Sequence, residues 1–167
     1  FGLAVYLEPE VEVRDHMTGN DSNERALEGR IILQKNSMED QLITGANLMF
    51  EPEWEKIDDK TFKELWVEAT FGVSYHFAPN WFAGMELRNH MEFIEMNLGN
   101  QEHSAYFAGL NFHYAETKYW WTLTILPQIS GSPRNLGVGA DGQEITDSSR
   151  HLGQHEKLEI RFKFGIP

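Results

Sequence analysis

Eight stretches of this chain alternate apolar and polar residues with a period of two, a pattern that selects strands over helices. They run over about 1–14, 24–35, 41–55, 63–77, 81–96, 104–115, 118–130 and 155–166. Each is ten residues or longer. Soluble strands are typically about five or six residues, whereas a tilted strand crossing hydrocarbon needs about 9–11. Eleven residues at about 3.3 Å each, tilted by about 40°, span roughly 28 Å, the thickness of a bilayer core.

The connections fall into two alternating kinds. Asn36–Glu39, Ala78–Asn80 and Glu116–Thr117 are short, while 15–23, 56–62, 97–103 and 131–154 are long. Tight turns at one end and longer loops at the other are the habit of membrane β-barrels. The longest loop is rich in Gly, Ser and Asp, a composition that favours mobility.

Parity assigns the two faces. Leu3, Val5, Leu7, Leu48, Phe50, Val67, Phe71, Val73, Met85, Leu87, Leu110, Phe112, Leu123, Ile125, Ile160 and Phe162 share one face. Glu28, Arg30, Glu68, Glu86, Arg88, His90, Asn111, Glu159 and Arg161 share the other, and are expected to line a hydrated, charge-paired interior. In the hairpin FGVSYHFAPNWFAGMEL, parity places residue 77 opposite 81, Glu68 opposite His90 and Thr70 opposite Arg88, with Asn80 supplying the left-handed residue. A two-residue turn between strands six and seven sets Tyr114 opposite Tyr119 and Phe112 opposite Trp121.

A soluble barrel of lipocalin type would put the apolar face inside and the charged one in water, and alternation alone does not separate the two. The aromatics favour lipid. Tyr75, Phe77, Trp81, Tyr114, Tyr119 and Trp121 lie beside short turns; Trp54, Phe93 and Tyr106 lie toward the long loops. Two girdles with aliphatics between them mark two membrane interfaces.

Charge and composition narrow the functional classes. A net charge of −12 with acids spread along the chain argues against nucleic acid and against a basic membrane-docking patch. A mean hydropathy of −0.47 excludes a helical membrane protein. Cysteine is absent, so no disulfide staples the fold. The 167 residues fit a single β-barrel domain over 1–167, beginning inside an alternating stretch without an initiator Met, which reads as a mature or truncated product.

No residue set calls for catalysis, a metal or another cofactor. His151 and His155 with Asp147 sit in the long loop, where no helix aligns an i,i+4 pair. His90 facing Glu68, with Arg88 and His113 nearby, reads as a hydrogen-bonded interior network before it reads as an acid–base cluster. Ser74 and Ser104 lack a convincing partner for nucleophilic chemistry. Lys157, Arg161 and Lys163 in strand eight face Glu8, Glu10 and Glu12 in strand one if the barrel closes on itself. Pro9, Pro52 and Pro127 within strands, and Asn89 on the apolar face, break the pattern; a bulge in strand five would move Asn89 and undo the pairing above residue 88.

The final stretch KLEIRFKFGIP resembles the C-terminal strand by which Gram-negative outer-membrane barrels are recognised for insertion, which usually closes with an aromatic residue; the sequence stops at Pro167, one short of where that aromatic would be expected. GVSYHFAPNWFAGMELR looks like hairpins frequent in those proteins. With FGLAVYLEPEVEV, ILQKN and WWTLTILPQI, the chain resembles the C-terminal portion of an uncharacterised family of Gram-negative outer-membrane proteins. The resemblance implies an antiparallel up-and-down transmembrane β-barrel in the bacterial outer membrane, with eight strands visible, complete or part of a larger barrel. Its partners would be the lipid bilayer, or detergent in its place, and the barrel-assembly machinery through the C-terminal strand. The expected role is a structural or small-solute, porin-like channel protein; a soluble lipocalin-like carrier of a small apolar ligand is the alternative.

Overall fold

A computed structural model describes residues 1–14, 21–57, 60–132, 135–138, 144–146 and 155–166. The chain is all-β. Strands β1 (Gly2–Arg14), β2 (Asp21–Ser37), β3 (Leu42–Ile57), β4 (Lys60–Ala78), β5 (Trp81–Ile94), β6 (Gln101–Ala115) and β7 (Trp120–Ser132) run up and down, and β10 (Leu158–Gly165) completes the sheet. Two short strands, β8 (Asn135–Val138) and β9 (Glu144–Thr146), form a separate hairpin inside the connection expected to be a plain loop.

The large sheet has the order β1-β2-β3-β4-β5-β6-β7-β10, every pair antiparallel, and curls into a half-barrel. Among the described residues β1 and β10 share no ladder, so the expected seam between strand one and strand eight is not formed. The charges on those two strands therefore do not meet as cross-strand pairs. Among the described residues neither end of the sheet has a neighbour.

The faces fall as parity requires, because one residue of slip would turn every side chain over. Glu68 lies opposite His90 and Thr70 opposite Arg88. Asn80 has φ 68°, the left-handed conformation expected of it, but a bulge between His76 and Ala78 sets Ala78, not Phe77, opposite Trp81. The β6–β7 turn is longer than two residues: Ala115 pairs with Trp120, Tyr114 with Trp121 and Phe112 with Leu123. Moving the register by two keeps each residue on its face while changing its partner. At the β2–β3 turn Met38, Glu39 and Asp40 all have positive φ, and Gln41 N donates to Met38 O at 3.1 Å. The connection expected over 56–62 contracts, since Ile57 pairs with Lys60. Strictly alternating short and long connections are therefore not observed there.

No bulge displaces Asn89. It pairs with Ala69 and Tyr106 and stays on the apolar face, where Nδ2 donates to Ala105 O at 3.2 Å. That bond satisfies the amide without moving the strand. The β5–β6 bulge comes later, between Glu92 and Phe93.

Two prolines interrupt ladders. The β2–β3 ladder passes from Ala26↔Glu53 to Gly29↔Phe50, skipping Pro52, and the β6–β7 ladder passes from Phe107↔Gln128 to Leu110↔Ile125, skipping Pro127. A proline has no N–H to donate, so each gap lies where its donor would have pointed. Pro52 and Pro127 keep their other neighbours, Leu65 and Leu158. Pro9 leaves the β1–β2 ladder unbroken, which turns its missing donor toward the free edge.

Candidate functional site

The concave face carries the polar chemistry. Its core is a small apolar patch of Ala105, Phe107 and Leu126 on β6 and β7, with Gln128, Thr124, His103 and Glu92 buried around it. Gly109 sits in the same patch, where a Cβ would collide with the Ile125 carbonyl. This bare stretch of β6 lets side chains from β5 reach over to β10.

Those side chains form an alternating chain of charge. Arg161 on β10 pairs with Glu86 on β5, and its Nε lies 2.8 Å from Glu159. Glu159 in turn pairs with Arg88, whose Nη1 lies 3.5 Å from Glu68. Glu68 accepts from Thr70 Oγ1 at 3.2 Å and lies 3.7 Å from His90 Nδ1. The Arg88 guanidinium also rests over the Phe107 ring, 5.3 Å from its centroid. Six of the expected interior residues thus belong to one network: Glu68, Glu86, Arg88, His90, Glu159 and Arg161.

The other three stand apart. Arg30 Nε donates to Glu28 at 3.0 Å within β2, and Asn111 lines a recess with Ser74 and Glu86. All three remain on the concave face.

Above the charge chain, toward the loop end, lies a histidine cluster that sequence reasoning missed. His103 pairs with Glu92 directly across β5–β6, and its Nδ1 lies 3.1 Å from His155 Nε2. The His155 ring lies 5.0 Å from His90 and 4.9 Å from His103, and Trp66 stacks edge-on to His90 at 4.8 Å. His103 lies in the connection expected over 97–103, which the structure takes into β6, and nothing in the alternation brings the segment before β10 down onto that strand. Asp147 and His151, weighed with His155 as a metal set and set aside, lie outside the described residues. No group of His, Asp and Glu among the described residues has the geometry to hold a metal ion.

At the turn end the concave face is aromatic: His76 stacks on Phe82 at 4.4 Å, and His113 Nδ1 lies 2.8 Å from Thr122 Oγ1. The β1–β3 side is different. A groove of about 320 Å³ there is lined by Glu10, Val11, Glu12, Glu24, Ala26, Glu51 and Glu53.

The convex face is the apolar one, and it is exposed. Leu7 is 67% exposed, Phe71 54%, Met85 58% and Phe162 65%. Of the nine aromatics expected at the two interfaces, Phe93 is buried, and the other eight lie on this face or at its rim. Trp81 packs against Tyr114 at 4.8 Å and Trp121 at 5.7 Å, Trp121 stacks on Phe162, and Tyr119 stacks between Tyr114 and Phe164. Tyr75 and Phe77 extend that band onto β4, while Trp54 and Tyr106 stand exposed toward the other end.

The model of a family of unknown function (DUF6662) matches residues 1–167, so the chain belongs to that family. No curated protein and no solved structure matches it.

Proposed function

We propose that this member of the DUF6662 family forms the wall of an outer-membrane β-barrel and acts as a structural or small-solute channel protein with a charge-lined interior. One observation carries the reading. The convex face is a continuous exposed apolar belt, bounded by Tyr75, Phe77, Trp81, Tyr114 and Trp121 at one end and by Trp54 and Tyr106 at the other. Exposed apolar area on this scale is stable only against lipid or another protein. The resemblance of KLEIRFKFGIP to outer-membrane C-terminal strands supports the same location.

The lipocalin-like alternative needs an apolar cavity. Here the concave face holds Glu68, Arg88, His103 and Glu92 while leucines and phenylalanines look outward. The concave side also divides functionally. Along β4–β10 it holds ion pairs, aromatics and a recess of about 330 Å³ beside Arg161 and Lys163, whereas the groove along β1–β3 is acidic. A solute passing along that groove would be small and preferably cationic.

Refolding into detergent tests the proposal. The protein is expected to aggregate without detergent and to fold with it into a species whose gel migration changes on heating. A monomer that stays soluble and heat-insensitive without detergent would remove the membrane reading. Planar-bilayer conductance then separates channel from plug.

A further inference from the structure

The concave face changes character along its length. Toward the loops it carries Glu53, Glu64 and Glu92, but nearer the turns than Glu86 its strand positions hold, among the described residues, no carboxylate. A row of rings stands there instead. His76 on β4 stacks on Phe82 of β5 at 4.4 Å, Phe82 lies 5.5 Å from His113 on β6, and His113 lies 6.2 Å from Trp120 on β7. All four are only partly buried, on the polar side of the wall. Trp120 lies across the backbone of β10, where a Cβ at Gly165 would collide with the indole.

The row ends at the recess beside Arg161 and Lys163. Its volume of about 330 Å³ suits a small molecule, and it is lined by Glu86, Trp120, Thr122, Thr124, Arg161 and Lys163. The two cations differ. Arg161 is held by Glu86 and Glu159, whereas Lys163, opposite Thr122, is exposed and has no carboxylate within ion-pair distance among the described residues.

We propose that this recess binds a small acidic sugar, a hexuronate; the proposal rests on the reading above of the concave face as a hydrated channel lining. The carboxylate meets the uncommitted charge of Lys163, with the Arg161 guanidinium beside it. Sugar C–H bonds, polarised by the neighbouring oxygens, meet the negative ring faces at Trp120. The sugar hydroxyls donate to Glu86 and exchange hydrogen bonds with Thr122 and Thr124. A bare anion would leave the rings unused, and a neutral sugar would leave Lys163 unused. The acidic groove along β1–β3 opens at the loop end, so the ligand reaches the recess from the turn side.

Detergent-refolded protein titrated with glucuronate at constant ionic strength, followed by calorimetry, tests the recess, with glucose and acetate as comparison probes. Saturable glucuronate binding is expected, with glucose and acetate each at least about tenfold weaker. Lys163→Gln removes an exposed charge outside the ion-pair chain. It is expected to keep heat-modifiable migration and to weaken glucuronate by about tenfold. Lys163→Arg should retain binding, and Lys157→Gln, outside the recess, should leave it unchanged. No saturable binding, equal affinity for acetate or glucose, or parental affinity in Lys163→Gln overturns the proposal. Heat-modifiable protein that ignores glucuronate removes the recess and leaves the membrane wall standing. Loss of that migration in the unsubstituted protein removes the wall, and the recess's place in a channel with it.

Discussion

Arg88 on β5 and Glu159 on β10 pair across two intervening strands, over the Phe107 ring and the bare backbone of Gly109. Neighbouring strands pair by default; a contact from β5 to β10 requires the sheet to bend between them. The pair therefore ties curvature to charge. Arg161 to Glu86 repeats the link one row nearer the turns.

Removing Arg88 tests that tie. Its side chain is only 12% exposed and it serves both Glu159 and Glu68. Arg88→Met leaves two carboxylates short of a cation in a confined site and is expected to cost about 3 kcal/mol. Glu28→Gln, which breaks a local pair with a more exposed arginine, is expected to cost less than about 1 kcal/mol. Urea midpoints of the refolded protein compare the two.

Gly109→Val forces a side chain into the Ile125 carbonyl. An overpacked, displaced β6–β7 seam costs about 1–3 kcal/mol. At Gly72 the nearest atom to an added Cβ is the Met85 carbonyl at 3.7 Å, so Gly72→Ala is expected to change stability by less than about 0.5 kcal/mol. Melting of the two variants, followed by tryptophan fluorescence, separates them.

Depth along the convex face is a direct probe of lipid. Met85→Arg lies in the middle of the apolar belt and Tyr75→Arg at its turn-end rim; both parent residues are exposed. A lipid-facing arginine costs about 2–4 kcal/mol at mid-depth and about 0–1 near the interface. Folding free energies in vesicles should therefore be unequal. Equal, near-zero effects would mean that this face meets water.

The acidic groove predicts the sign of ion selectivity. If it conducts, Glu10→Gln with Glu12→Gln should shift the reversal potential in a salt gradient toward zero, because fewer fixed negative charges concentrate cations at the wall. Arg30→Gln, on the neighbouring strand, should shift it the other way.

Strand positions and facing were legible in the sequence because a period of two is a local property. Glu68 meets His90 and Thr70 meets Arg88 as parity alone requires. What parity leaves open is any choice between registers of equal parity, so Tyr114 could be assigned a face but not Trp121 as its partner. Asn89 looked like evidence for a bulge because its own polarity was visible and the Ala105 carbonyl that satisfies it was not. The charged residues of the interior were legible one by one. Their joining into a chain from Glu86 to His90, and the descent of His155 onto His103, depend on curvature, which no local pattern encodes.

The ladder gaps at Pro52 and Pro127 give the sheet a grain. They fall on the β2–β3 and β6–β7 seams, dividing the wall into three panels: β1–β2, β3–β6 and β7–β10. Within a panel each opening event must break a continuous row of bonds; between panels it begins at a place where two residue pairs are already unbonded. Amide exchange should therefore proceed by panel, with the wide central one outlasting its neighbours. A wall articulated in this way flexes along two fixed lines and stays stiff elsewhere, much as a folding screen does.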